Sequence, residues 1–216
     1  MTNDLLLAIN ELDLDIDKVI ENIDGSIDYQ GDVDISGMRL DKIPLTFNSV
    51  FGNFDCSDNE LTTLKGCPKF VDGDFYCYLN QLSELRYGPK IVCGNYICSG
   101  NKLKSLLGSP KEVNGDFVCS NNLLTSLKYT PDIVQGNFIC NYNNIRSTLF
   151  LPKIVEKSFL HDIPVDNKYV QNFSYIGLHC QNGSMDDFTQ TSEEIASLGD
   201  YDPESIFIEE DYDTNE

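Results

Sequence analysis

The sequence lacks the features that mark a membrane-spanning or exported chain. It has no run of about 18 apolar residues, the length that a transmembrane helix needs. Its first residues, MTNDLLLAIN, contain no basic residue and place Asp4 close to the start, which is not the pattern of a secretory signal. We therefore expect a cytoplasmic protein with no membrane partner, in a reducing setting that keeps cysteines as thiols.

The sequence also has little that would support catalysis. It contains no P-loop, no G-x-G-x-x-G after a strand pattern, no H-E-x-x-H and no G-x-S-x-G motif. Its two histidines are His161 and His179, and His179 adjoins Cys180 without an identifiable third group to orient the pair. The acidic clusters at 32–34 and 58–60 do not match a calcium-binding loop. We expect no catalytic residue, no cofactor and no enzyme activity.

What the sequence does have is a repeat of 21 residues that runs without a gap from residue 30 to residue 155. Six windows begin at residues 30, 51, 72, 93, 114 and 135, and we number the positions in each window from one to twenty-one. Position two is always glycine and position twenty-one is always valine. Position six is Ile35 and then Cys56, Cys77, Cys98, Cys119 and Cys140; position nine is Met38 and then Asn59, Asn80, Asn101, Asn122 and Asn143. Such a regular period is typical of a solenoid, in which each repeat forms one coil.

The consensus of these windows is x-G-[DN]-F-x-C-S-x-N-x-L-[TS]-x-L-x-x-x-P-K-x-V, and its centre, F-x-C-x-x-N-x-L-x-x-L, resembles the leucine-rich repeat. Its length is similar to that of the short repeats in secreted bacterial effectors, and the wording G-D-F-x-C-S-x-N-x-L looks most like repeat proteins of phages and other viruses. The resemblance covers about 126 of the 216 residues, and the first leucine of the usual motif is absent. It implies a repeat solenoid of stacked parallel β-strands with an irregular convex side.

The repeated cysteines predict a row of buried thiols. Phe54 and Cys56 are two residues apart, so they point to the same side of a short strand. Coils stacked about 4.8 Å apart bury this row, and cysteine is small and apolar enough to fill it. Neither zinc nor disulfides fit: no Cys-x-x-Cys pair exists, and the stacked Cβ atoms lie further apart than the roughly 3.8 Å of a disulfide. Cys67, Cys93 and Cys180 fall outside the row and are interpreted as packed or surface thiols.

Three other repeat positions have a predicted structural role. A buried asparagine amide at position nine can bond backbone groups of the neighbouring coils. Glycine at position two, as in Gly52, allows a tight or positive-φ approach to the strand. Proline at position eighteen, as in Pro68, fixes an extended return segment.

The two ends differ from the repeats and divide the chain into four parts. Residues 1–29 form a predicted N-terminal helical cap, since apolar residues recur at helical spacing over 3–23; the alternation ELDLDID at 11–17 is a competing strand signal. Residues 30–155 are the six repeats. Residues 156–180 are interpreted as a degenerate seventh repeat, with Phe159 at the aromatic position and His161 at the cysteine position. Residues 181–216 form an acidic tail, interpreted either as a solvated segment or as one that docks on the solenoid or a partner.

The net charge of −20 belongs to the ends. Residues 30–155 hold 12 acidic and 12 basic residues, whereas residues 1–29 hold 8 acidic and 1 basic, and the tail holds 12 acidic and none basic. A neutral repeat array argues against direct binding of nucleic acid, which needs a basic surface. The tail by itself could compete for a basic site on a partner.

The outward side of the predicted sheet is the candidate interaction site. Positions five and seven alternate with the buried positions, and position five carries an apolar stripe flanked by tyrosine. Contiguous apolar patches with aromatic anchors mark interaction sites, so we predict a partner-binding face. The alternative is that the C-terminal segment covers the stripe. The predicted partner-binding residues are Asp55, Tyr76, Tyr78, Ile97, Val118, Ile139 and Tyr142.

These observations predict a non-enzymatic protein–protein interaction module. The resemblance suggests a phage or viral protein that acts in the host cytoplasm, where it binds and inhibits a host or defence protein. One alternative is a nucleic-acid mimic whose acidic tail is the functional element, with the solenoid as its scaffold. Another is a structural virion component or a self-assembling subunit. The sequence leaves the oligomeric state and the identity of the partner open.

Overall fold

The fold is a β-solenoid of about six coils with one helix near its N-terminus, in a computed structural model that describes residues 2–147 and 149–161. Each coil contributes one short strand to each of two sheets, and equivalent residues of successive coils pair in parallel register. The predicted class of fold is therefore confirmed. The boundary that we placed at residue 180 and the acidic tail at 181–216 lie outside the described residues.

The front sheet is built from repeat positions four and five. Its seven strands are β3 (Val33–Asp34), β5 (Phe54–Asp55), β7 (Phe75–Tyr76), β9 (Tyr96–Ile97), β11 (Phe117–Val118), β13 (Phe138–Ile139) and β15 (Phe159–Leu160). The position-four side chains point inward and stack along the solenoid, with ring centroids 4.9–5.9 Å apart from Phe54 to Phe159. Cys56 and its four equivalents in the later repeats are fully buried beside this aromatic row. The prediction of a buried thiol row is confirmed.

The back sheet replaces the irregular convex side that the resemblance implied. Its eight strands are β1 (Val19–Glu21), β2 (Ile27–Tyr29), β4 (Phe47–Val50), β6 (Phe70–Val71), β8 (Ile91–Val92), β10 (Glu112–Val113), β12 (Ile133–Val134) and β14 (Ile154–Val155). Valine at position twenty-one points into the core, and the residue before it points outward. The expectation of an irregular side was wrong because valine suits a strand and the preceding proline already holds the chain extended.

The position-nine asparagines join the coils by hydrogen bonds, as predicted. Asn101 donates from Nδ2 to the backbone oxygen of Cys77 in the preceding coil (2.9 Å) and to that of Cys98 in its own coil (3.2 Å). Its Oδ1 accepts from the backbone N–H of Leu82 (3.0 Å). Asn59, Asn80, Asn122 and Asn143 repeat the pattern. Each amide therefore satisfies backbone groups that the turn leaves buried without a partner.

A second ladder explains the glycines at position two. The side-chain oxygen at position three accepts from the backbone N–H of the same position in the next coil, as between Asp74 and Asn95 (2.6 Å). A Cβ on Gly94 would lie within 2.9 Å of the Gly73 backbone and would collide with the Asp74 carboxylate. Five of the six residues are therefore glycine because the preceding coil is close, whereas Gly31 is the one with a positive φ.

The N-terminal cap is shorter than predicted. Helix α1 covers Asn3–Glu11, where the Thr2 hydroxyl caps it by accepting from the backbone N–H of Leu5 (3.2 Å). It buries Leu5, Ala8, Ile9 and Leu12 against the first coil. The predicted helix over 3–23 was wrong after residue 11: a 3-10 turn at Ile16–Lys18 follows, and β1 pairs antiparallel with β2. The competing strand signal of ELDLDID at 11–17 was wrong as well, because these residues form the end of the helix, a turn and the start of the 3-10 turn.

A seventh coil begins as predicted. Phe159 is buried and stacks on Phe138 with ring centroids 5.4 Å apart, and β15 extends the front sheet. His161 is buried at the position that cysteine occupies elsewhere, with its ring centroid 4.5 Å from that of Phe159. Both residues therefore take core positions of the repeat.

Candidate interaction face

The front sheet carries a continuous apolar row on its outer side, which we call the front stripe: Tyr76, Ile97, Val118, Ile139 and Leu160. These residues occupy position five of consecutive coils, and each is paired in register with the next. All five are half-buried, because parallel strands in register bring equivalent side chains about 4.8 Å apart, where they shield one another. The stripe therefore presents one connected apolar surface.

The aromatic end of the stripe is held in place by a hydrogen bond. The Tyr76 hydroxyl donates to Asp74 Oδ2 (2.5 Å), and this bond, together with burial and the negative charge, raises the pKa of Tyr76 to about 12. The Tyr78 ring lies edge-on to the Tyr76 ring, with centroids 6.3 Å apart. Two rings fixed by their neighbours lose little conformational entropy on binding, which is the property of aromatic hot spots.

A shallow groove lies beside the stripe. It has a volume of about 360 Å³ and is lined by Tyr78, Leu79, Ile97, Ser99, Gly100 and Asn121. The groove exists because position seven is serine in the next two coils, where the Tyr78 side chain has no counterpart. It can accept one apolar or aromatic side chain of a partner.

The two remaining predicted site residues differ from the stripe. Asp55 stands in register between Asp34 and Tyr76, and its Oδ1 accepts from the backbone N–H (2.8 Å) and the hydroxyl (2.5 Å) of Ser57. Asp55 thus makes the front sheet acidic at its N-terminal end. Tyr142 lies past the end of β13 and has a side chain that is 74% exposed, with a backbone φ of +56°.

Two residues of this face were missed by the sequence reasoning. Leu79 is 52% exposed, lines the groove and has a φ of +52°, at the position where the neighbouring coils have Asp58 and Gly100. Its signal was a leucine at a position that holds glycine, aspartate or asparagine in four of the other five repeats, residues suited to left-handed backbone. Leu160 extends the stripe by one coil; the alignment of Phe159 with the aromatic position could have revealed it.

Most of the described thiols lie in the core. Burial raises the pKa of the Cys77, Cys98 and Cys119 thiols well above the usual range, so they remain protonated and unreactive. Cys67 is buried and Cys93 half-buried, and none of the seven described cysteines is in a disulfide. No group of three or more histidine, cysteine, aspartate or glutamate residues in the described chain is placed to hold a metal ion. His179 and Cys180 lie outside the described residues.

The fold and the face together define a β-solenoid repeat protein with a half-buried apolar stripe on the outer side of its front sheet. No protein-family model, curated protein or solved structure matches the chain. In the part that the structure describes, no helix is long and apolar enough to cross a membrane.

Proposed function

We propose that this chain is a non-enzymatic protein–protein interaction module that binds its partner through the front sheet. The front stripe supports this most directly, because five apolar side chains in consecutive register remain only half-buried. A patch of this kind on a soluble protein is typical of a docking surface. The groove beside Tyr78 and the fixed rings of Tyr76 and Tyr78 supply the anchoring contacts.

The biological setting in this proposal comes from the consensus sequence of the repeat. The resemblance to phage and viral repeat proteins suggests a gene product that acts in the host cytoplasm and inhibits a host or defence protein. Blocking a partner needs only a surface that excludes other ligands, so inhibition requires no catalytic group. The alternative proposals are a nucleic-acid mimic that acts through its acidic tail and a structural virion component.

The test is a pull-down from bacterial lysate with the full-length chain, followed by mass spectrometry. Tyr76→Asp combined with Ile97→Asp places two charges at the aromatic end of the front stripe. We expect this variant to bind the captured partner at least about 30-fold more weakly, the effect of losing one hot spot of about 2 kcal/mol. Retained binding would contradict the proposal.

A matched control separates the face from the added charge. Thr62→Asp with Ser83→Asp adds the same two charges to two neighbouring coils, at exposed residues between the two sheets. This control is expected to bind as the unmodified chain does, and circular dichroism checks that both variants keep their fold. Neutralising the acidic residues of 181–216 is the third arm, and loss of binding only there would favour the mimic.

A further inference from the structure

The neutral repeat array separates its charges between its two sides. Repeat positions one to eight, which include the front strands, hold seven acidic and no basic residues over the six repeats. Positions nine to twenty-one hold five acidic and twelve basic residues. Summed over the six repeats, positions one to eight therefore carry a net charge of −7 and positions nine to twenty-one carry +7, and the two cancel.

Much of the positive charge lies beside the back sheet, on what we call the back surface, formed by positions fifteen to twenty. Lys69, Lys90, Lys111 and Lys153 occupy position nineteen, directly before the back strands, and all four are exposed. Asp132 holds this position in the fifth coil and forms a salt bridge with Lys153 (3.3 Å), so among the described residues the unpaired part of the row is Lys69, Lys90 and Lys111. Their coils are joined by backbone hydrogen bonds, such as the one from the N–H of Lys90 to the oxygen of Lys69 (2.9 Å). Lys65, Arg86 and Lys128 at position fifteen add three exposed basic residues nearby.

Exposed apolar residues accompany this basic row. Ile91 is 56% exposed at position twenty, and Phe70, Ile133 and Ile154 are half-buried at the same position. At position sixteen, the aromatic residues Tyr87, Tyr129 and Phe150 are exposed.

The backbone of these aromatic residues is unfavourable for their type. Tyr87, Tyr129 and Phe150 have φ values of +68° to +70°, whereas Gly66 and Gly108 fill the same position in the alternate coils. A residue other than glycine is strained in this left-handed region of backbone conformation. The three aromatic rings are exposed, so they bury little apolar surface that would offset the strain. Such outliers suggest a contact made by the side chains, and they lie beside the basic row.

We propose that the acidic segment 181–216 of the same chain docks on the back surface. This segment lies outside the described residues; its sequence holds twelve acidic and no basic residues. Its stretch SIFIEEDYD, at 205–213, combines three apolar residues with acidic ones, which matches the apolar and basic rows of the back surface. The front sheet carries net negative charge and repels the segment, so charge favours the back surface over the front stripe.

The covalent connection makes the chain's own segment the favoured occupant. About 20 residues separate residue 161 from the segment and can span up to about 66 Å, whereas six coils rise only about 29 Å. A tethered segment has an effective concentration in the millimolar range, which a separate acidic peptide rarely reaches. Docking at the back also leaves the front stripe open.

The test is zero-length carbodiimide crosslinking of the full-length chain, which joins a lysine amine to a carboxylate that touches it. At about 1 µM protein, far below the tethered concentration, we expect links from Lys69, Lys90 and Lys111 to acidic residues of 181–216. The links should disappear in about 1 M NaCl, where the Debye length is about 3 Å. Lys102 and Lys104, exposed on the segment between the two sheets, are internal controls and should give no such links.

Two further arms make the outcome decisive. The triple variant Glu209→Gln, Glu210→Gln and Asp211→Asn removes three exposed ion pairs. We expect it to reduce the links between the remaining carboxylates of 181–216 and the back-surface lysines about tenfold. A mixture of ¹⁵N-labelled and unlabelled chains distinguishes links within a molecule from links between molecules. The proposal is overturned by links that join different molecules, by equal linking to Lys102 and Lys104, by links that persist in high salt, or by their absence.

Discussion

At the scale of the residue, the core uses side chains that need few polar partners. Cys56 and Cys98 fill the inward position and donate from Sγ to the backbone oxygens of Tyr76 (3.3 Å) and Val118 (3.4 Å) in the next coil. A thiol is a weak donor, so it adds a contact between coils without the cost of burying a hydroxyl. The repeated cysteine is therefore explained by packing alone.

Tyr96 is an exception among these core side chains, and it gives the prediction at the scale of the residue. It replaces phenylalanine in the aromatic row, and its hydroxyl is buried without a hydrogen-bond partner among the described residues. Tyr96→Phe removes the unsatisfied group, so we expect the free energy of unfolding to rise by about 1 kcal/mol, measured by urea denaturation.

The neighbouring coil supplies the control. Gly88 makes room for the Tyr96 hydroxyl, since a Cβ there would lie 3.0 Å from its oxygen. The equivalent of Gly88 in the next coil is Ser109, so Phe117→Tyr should overpack the core and lower stability by about 1–3 kcal/mol. A loss of stability on Tyr96→Phe would show that the hydroxyl has a favourable role.

At the scale of the element, strands of two residues form stable sheets because ladders hold the coils together. The strands pair with those of the adjacent coils, and asparagine and aspartate side chains such as Asn101 and Asp74 also reach the adjacent coil. Stability in such an array is close to a sum of coil and interface contributions. Cutting one ladder contact should therefore weaken one interface between coils.

Asn101→Ala tests this expectation in the middle of the array. It leaves the backbone N–H of Leu82 buried without its side-chain partner, and it removes one of two amide bonds to the backbone oxygen of Cys77, which still accepts from Asn80 Nδ2 (3.3 Å). We expect a loss of about 2–4 kcal/mol in the free energy of unfolding, since an unsatisfied buried N–H costs about 1–3 kcal/mol and a lost hydrogen bond about 1 kcal/mol. Urea denaturation followed by circular dichroism measures the loss.

The matched control changes an asparagine that lies outside the ladder. Asn121 is exposed at position eight with a φ of +53°, and the preceding coil has Gly100 there. Asn121→Gly is expected to change stability by less than about 0.5 kcal/mol. Equal effects of the two variants would mean that the ladder contributes little.

At the scale of the whole molecule, a single uninterrupted core runs from α1 to β15. The helix covers one end of the solenoid, which would otherwise expose the first aromatic and aliphatic rows to water. The thiol row extends through this core, so the protonation of several cysteines is linked to the folding of the whole chain.

This linkage predicts that the fold weakens at alkaline pH. Burial raises the pKa of Cys77, Cys98 and Cys119 above the value near 8.5 of an unfolded thiol, so at high pH the unfolded chain releases protons that the folded chain retains. Stability from these groups is constant below about pH 8 and falls above it, by up to about 4 kcal/mol per pH unit when all three titrate.

Urea denaturation in the presence of reductant at pH 7, 9 and 10 measures this dependence. Cys98→Ala removes one titrating thiol and should reduce the slope by about 1.4 kcal/mol per pH unit, whatever its effect at pH 7. A free energy of unfolding that stays level up to pH 10 would contradict the raised pKa values.

The sequence by itself determined the period, the inward rows and the asparagine ladder. Coils that stack by translation bring equal repeat positions together, so a residue such as Cys98 or Asn101 is surrounded by its own equivalents. The same logic placed Tyr76, Ile97, Val118 and Ile139 on one outer row, because side chains alternate along a strand. That this row binds a partner stays a prediction.

The tertiary structure alone decided how each coil turns and what its turns bring together. The repeat pattern does not state where the chain bends, so the back sheet, the hairpin at 19–29 and the exposed Leu79 were not predicted. The need for glycine at position two likewise follows from the short distance to the preceding coil, and only the stacking of the coils sets that distance. The repeat positions by themselves give the separation of −7 from +7, but only the structure shows that the acidic positions belong to the front sheet and that much of the basic charge lies beside the back sheet.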